Sequence, residues 1–171
     1  RQRQMCIRDS GYATQPVSFN GNHADSDDNG VGDGGAVYIL GQSVPLDSSI
    51  DIHKGRVFGN RAVNGGAFYI DENTFFNMHA NTQEINGNRV DCWNEKCSLL
   101  SSNLSTNRGG AIYIKGHVIA DVIQTHVENN RADEGTFLSS DSTDGYQNIF
   151  IHQNLIVHNG RNGSGEYADN N

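Results

Sequence analysis

The chain has 171 residues, 35% of them hydrophobic, with 20 Gly, 2 Pro and a formal net charge of −8. Such a chain holds no run of about 18 apolar residues that could form a membrane-spanning helix, and it has too little proline for a collagen-like or linker sequence. Its acidity, with Lys and Arg spread singly, speaks against nucleic acid or anionic lipid as a partner. Gly and Asn, both poor helix formers, are scattered throughout and point to short strands joined by tight turns.

Residues 1–10, RQRQMCIRDS, share no pattern with the rest of the chain. They resemble a translated sequencing adapter, and we expect a non-native leader there. Residues 11–171 read as one repeat region, a fragment of a longer protein. Its first recognisable unit is Phe19 with Asn22, followed by the insertion Asp25-Ser26-Asp27-Asp28-Asn29-Gly30-Val31-Gly32-Asp33. Alternating Asp and Asn in a tight loop bring hard oxygens toward one centre, which suits Ca²⁺. The insertion is similar to the calcium loops of thrombospondin type 3 repeats. That resemblance implies side-chain ligation by Asp25, Asp27, Asn29 and Asp33 and carbonyl ligation by Val31, with a structural role for the ion. A solvated acidic turn is the competing reading.

Three segments then recur almost unchanged: Gly34-Gly35-Ala36-Val37-Tyr38-Ile39, Gly65-Gly66-Ala67-Phe68-Tyr69-Ile70 and Gly109-Gly110-Ala111-Ile112-Tyr113-Ile114. Glu134-Gly135-Thr136-Phe137-Leu138 is a worn fourth copy. Each follows an apolar residue, two others and Asn: Phe19/Asn22, Val57/Asn60, Leu100/Asn103 and Val127/Asn130, with Ile156/Asn159 as a fifth pair. With the Asp-rich insertion and a second one around Gln83 to Cys97 trimmed, the period is about 28 residues. The apolar pattern alternates in runs bounded by Gly, Asn and Asp, as in Ile50-Asp51-Ile52 and Ile149-Phe150-Ile151, which marks strands.

Three short strands in a period of this length describe one coil of a right-handed parallel β-helix, an all-β solenoid of about five coils. In such a stack Asn22, Asn60, Asn103, Asn130 and Asn159 occupy one turn in successive coils and can bond amide to amide as a ladder. Gly-Gly suits a sharp turn with close backbone approach. Val37, Phe68, Ile112 and Phe137, with Ile39, Ile70 and Ile114, read as inward; Ala36, Ala67, Ala111 and Tyr38, Tyr69, Tyr113 read as outward. The reverse assignment stays open, because a Tyr can be buried if its hydroxyl finds a partner. If outward, Tyr38, Tyr69 and Tyr113 form a strip of flat faces suited to sugar rings, or simply a stabilising stack.

Gly-Gly-Ala-(Val/Phe/Ile)-Tyr preceded by an apolar residue and Asn resembles the repeats of polymorphic outer-membrane proteins, within the broad pectin-lyase-like β-helix superfamily. The resemblance spans most of residues 17–165. It implies an exported, surface-displayed adhesive segment at the outer membrane or outside the cell. The implied partner is a host or environmental surface glycan or protein. We expect a monomer, with no nucleic acid and no membrane span in this segment. Cys92 and Cys97, in a C-x4-C arrangement, read as a loop disulfide in an exported chain; two free thiols are the alternative.

Catalysis in this fold usually requires clustered acids or an acid beside Arg or Lys. Asp71-Glu72 has no acid at the equivalent place in the next coil, where Lys115 sits, and Asp121 is isolated in an apolar run. Arg61 and Arg131 each follow a ladder Asn and could stack near one another, although a surface salt bridge is the commoner role for such a pair. The seven His residues show neither H-x-H nor H-x-x-x-H spacing. We therefore expect no catalytic residues in this segment. A polysaccharide lyase or hydrolase, or a carbohydrate-binding β-helix, is the alternative.

Overall fold

The computed structural model describes residues 17–41, 48–80, 97–141, 147–152, 155–157 and 159–161. Residues 1–10 and the second insertion up to residue 96, Cys92 included, lie outside this set. The described residues are all β, arranged as four parallel sheets through which the chain passes in the same order, coil after coil. This is a parallel β-helix.

The first sheet contains β1 (Ser18–Asn20), β4 (Arg56–Phe58), β8 (Ser98–Ser101), β12 (Thr125–Glu128) and β16 (Leu155–Val157), side by side in that order. Their register aligns Phe19, Val57, Leu100, Val127 and Ile156 in one inward column. The second sheet contains β5 (Arg61–Asn64), β9 (Leu104–Arg108), β13 (Arg131–Ala132) and β17 (Gly160–Arg161). It is the element the sequence does not announce: the coils that run from β4 to β15 have four strands each, not three, and the first described coil meets this sheet only through the isolated bridges of His23 and Asp33. These strands are short and polar, so their alternation is too weak to register in the sequence.

The third sheet carries the Gly-Gly-Ala motif: β2 (Val37–Ile39), β6 (Phe68–Ile70), β10 (Ile112–Lys115) and β14 (Leu138–Asp141). The fourth contains β3 (Ser48–His53), β7 (Thr74–His79), β11 (Val118–Ile123) and β15 (Gln147–His152). Strict alternation in β7 and β11 sends Thr74, Phe76, Met78, Val118, Ala120 and Val122 inward. Ala120 lies directly across from Phe76, so a small residue offsets a large one in the same column. The core is one continuous apolar cluster running the length of the stack, with Phe68, Phe76, Ile112, Ile114, Met78 and Leu100 fully buried.

The corner entering the third sheet explains both halves of Gly-Gly. Gly34, Gly65, Gly109 and Gly135 all have φ near +60°, a conformation that a Cβ disfavours. At Gly110 the constraint is contact: a Cβ there would sit 2.0 Å from the carbonyl oxygen of Thr136 in the next coil.

Two assignments from the sequence change at this corner. Ala67 and Ala111 are fully buried in the core cluster, not outward. The amides of Ala67 and Phe68 both donate to the carbonyl of Ala111, at 2.9 and 2.8 Å. The chain bends between them, so neighbouring side chains point into the same core and the two-residue alternation restarts. Phe137 likewise shifts by one: Leu138, not Phe137, pairs with Ile112. Phe137 takes the Ala position, since the amides of Ala111 and Ile112 both reach its carbonyl.

Candidate functional site

The Asn turn lies between the first and second sheets. The residue before Asn22, Asn60, Asn103 and Asn130 is left-handed: Gly21, Gly59, Ser102 and Asn129, with φ from 55° to 65°. That turn aims each amide along the coil axis. Asn22, Asn60, Asn103 and Asn130 donate through Nδ2 to Oδ1 of the next Asn in the series, ending on Asn159, at 2.8 to 3.0 Å. The same oxygens also accept the backbone amides of Asn22, Asn60, Asn103 and Asn130. The second Nδ2 hydrogen of Asn60, Asn103 and Asn130 goes to a carbonyl one strand back, Phe19, Val57 and Leu100 respectively, and Asn159 Nδ2 donates in the same way to Val127. Asn60, Asn103 and Asn130 thus each spend two donors and two acceptor positions, which is the condition for burying them at little cost.

The first insertion leaves the second sheet and returns to it. His23 bridges Arg61 and Asp33 bridges Asn64, with residues 24–32 looping out between. Asp25 is buried, and its carboxylate accepts the amides of Asn29 (3.0 Å) and Gly30 (3.3 Å). Asn29 Nδ2 donates to Asp27, and Asn29 Oδ1 accepts the Val31 amide. Asp28 pairs with Arg61 at 3.2 Å. Asp33 accepts from Asn64 Nδ2, and Asn64 Oδ1 accepts in turn from Asn107. The sequence pattern alone did not reveal this second, shorter polar ladder. Its signal was Asp33, Asn64 and Asn107 each lying one or two residues before Gly-Gly.

Tyr38, Tyr69 and Tyr113 align across β2, β6 and β10. Tyr38 and Tyr69 stack with centroids 4.8 Å apart and planes 17° from parallel; Tyr69 and Tyr113 tilt by 44° at 5.2 Å. The rings therefore cover one another. Tyr38 is 50% exposed, while Tyr69 and Tyr113 are 6% exposed. The phenol of Tyr113 bonds the Arg108 guanidinium, which also holds Glu134 at 3.0 Å. Burial, with the nearby carboxylates of Asp71 and Asp33 adding to it, raises the Tyr69 phenol well above its ordinary pKa. The same causes raise Tyr38.

The residues weighed for catalysis are dispersed. Arg61 is on β5 in the second sheet, Asp71 and Glu72 are at the corner before β7, and Asp121 is on β11 in the fourth sheet. Asp71 holds the Glu72 amide at 2.8 Å. Arg131 lies two coils from Arg61, with Leu104 between them. Cys97 is buried and disulfide-bonded; Cys92 is outside the described residues.

A cluster with no signature in local spacing lies on the outer face of the fourth sheet. Asp51 and His53, two apart on β3, share that face, and His79 at the end of β7 pairs in register with His53. Both imidazoles aim Nε2 at the Asp51 Oδ1, at 3.4 Å from His53 and 3.0 Å from His79. Among the described residues this is the group of three His, Cys, Asp or Glu whose ligand atoms converge, all within 4.8 Å. A search for His pairs close in sequence passes over it, because the partners lie one coil apart. The usable signal was His recurring at the coil period.

The fold and its turns define the class: a coil-stacked parallel β protein with an internal amide ladder. Within it, residues 16–40 and 98–115 match the Chlamydia polymorphic membrane protein repeat. Both segments run from the first sheet through an Asn turn to a Gly-Gly-Ala strand. No curated protein and no solved structure gives a match.

Proposed function

We propose that this segment is a structural and adhesive region of a bacterial surface protein, displayed at the outer membrane or secreted. The observation that carries the reading is the match of two separate coils to the polymorphic membrane protein repeat, over the same part of each coil. The stack supplies rigid reach, and the insertions at 25–33 and around Gln83 to Cys97 are the segments this reading assigns to partner contact. Contact is with a host or environmental glycan or protein, and the chain acts as a monomer without catalysis. The disulfide of Cys97 with Cys92 and a structural Ca²⁺ held by Asp25, Asp27, Asn29, Val31 and Asp33 belong to the same reading. Export supports the first and the oxygen-rich donor set supports the second.

The test is surface labelling of intact cells with antibody to this segment, followed by binding of segment-coated beads to host cells. Labelling only after permeabilisation would count against display; beads that bind no better than albumin-coated ones would count against adhesion. If the adhesive contact is a sugar, Tyr38 is the ring placed to make it, since its exposure is far greater than that of Tyr69 or Tyr113. Glycan-array binding that survives Tyr38→Ala would remove the Tyr row from the account. For Ca²⁺, the melting temperature should rise with added calcium in the parent chain and not in Asp27→Ala.

A further inference from the structure

We propose that Asp51, His53 and His79 form a binding site for a divalent transition-metal ion of the Zn²⁺ class on the outer face of the fourth sheet. Two imidazole nitrogens and one carboxylate oxygen make a borderline donor set, better suited to Zn²⁺ than to Ca²⁺ or Mg²⁺. The spacing agrees. With Zn–N and Zn–O bonds of roughly 2.0–2.2 Å, tetrahedral ligand atoms stand about 3.3–3.5 Å apart. The two carboxylate–imidazole separations are 3.0 and 3.4 Å, and all three ligand atoms lie within 4.8 Å of one another.

The rings themselves point the same way. Their centroids are 3.9 Å apart at an interplanar angle of 63°. Edge-to-face aromatic pairs prefer about 4.5–7 Å, so this pair is tighter than face packing would set it. Both rings instead turn Nε2 toward one carboxylate oxygen, Asp51 Oδ1, so three ligand atoms are gathered at one place on the sheet.

The scaffold holds the donors in place. Ile52 and Met78, which alternate with them on β3 and β7, are buried in the core. The Lys54 amide donates to the His79 carbonyl at 2.8 Å, tying the two strand ends together. The donors remain reachable: the side chains of Asp51, His53 and His79 are 54%, 45% and 17% exposed. Three protein ligands leave a fourth position to water or to a donor from a partner.

The experiment uses the whole 171-residue chain, purified without a His tag and treated with chelator. Zn²⁺ alone is titrated by calorimetry and followed by thermal melting; Co²⁺ is then used as a spectroscopic substitute. The expected result is one equivalent bound, a higher melting temperature and the intense visible bands of four-coordinate Co²⁺. His53→Ala and His79→Ala should each weaken binding by at least about tenfold, while His23→Ala, at an exposed position on another sheet, should not. Asp51→Asn, nearly isosteric, should also weaken it and serves if a His variant fails to fold. Binding unchanged in Asp51→Asn and His79→Ala, or no saturable Zn²⁺ binding by the parent chain, overturns the proposal.

Discussion

Asn103 shows what a single residue does in this architecture. Its Oδ1 is the acceptor for both the backbone amide and the side-chain amide of Asn60, and its own Nδ2 serves Asn130 and the Val57 carbonyl. Truncation to Ala removes these bonds and strands two buried donors of Asn60. At about 1–3 kcal/mol for each group left unsatisfied, Asn103→Ala should cost about 3 kcal/mol or more. Asn22 is exposed, and removing its side chain leaves the Asn60 oxygen still bonded to the Asn22 amide. Asn22→Ala should therefore cost only about 1 kcal/mol. Urea unfolding of the two variants checks the ratio; equal losses would mean that burial of the ladder is not the source of its contribution.

Tyr69 gives a pH dependence at the same scale. Its phenol titrates above its ordinary value of 10.0 in the folded chain, from burial first and from Asp71 and Asp33 next. A raised folded pKa means that the neutral form is the one the fold favours. That contribution is complete below pH 10.0 and is lost as pH rises from there through the higher folded value. Stability measured by denaturant should therefore fall above pH 10.0, and Tyr69→Phe should make that fall shallower. A variant whose alkaline slope matches the parent would place the cost on other groups.

At the scale of the element, the corner before the third sheet is the most demanding turn. The Gly110 Cβ position lies 2.0 Å from Thr136 O and 2.9 Å from backbone atoms of Arg131. Gly110→Ala must push two coils apart, so a loss of more than about 3 kcal/mol, or failure to fold, is expected. Soluble expression with an unchanged melting temperature would show that the coils are not in contact there. These corners also mark how far the sequence could be read. The ladder Asn and Gly-Gly recur because each coil meets its neighbour through them, so period and fold were legible. The second sheet was not legible, because Arg61, Asn64, Ser105 and Asn107 carry polar contacts and no apolar alternation. The Ala column was misread because alternation holds only within a straight strand, and Ala67 and Ala111 sit where the strand bends. The Asp51, His53 and His79 cluster was hidden for a related reason: register across coils, unlike spacing along the chain, depends on the length of every insertion between them.

At the scale of the whole molecule, stability is set by each coil resting on its neighbours. In a solenoid the opening free energy of a unit is its own contribution plus its two interfaces. The coil spanning β8 to β11 has neighbours on both sides among the described residues, as does the coil spanning β4 to β7. Their inward residues Phe68, Ile70, Phe76, Leu100, Ile112, Ile114 and Val122 are fully buried. In the first described coil Phe19, Val37, Ile39 and Ile50 are only partly buried. Val31 and Leu40 nearby are 73% and 47% exposed. Amide exchange should accordingly be slowest in β6, β8, β10 and β11 and fastest in β1, β2 and β3. Asn103→Ala should erase the difference by uncoupling the middle coils, because it breaks the ladder on both sides of one rung. Hydrogen exchange read by mass spectrometry over peptides from each coil decides this. Uniform protection from β1 to β11 would mean that the stack opens all at once, and a gradient that survives the loss of Asn103 would mean that the apolar column, rather than the amides, couples one coil to the next.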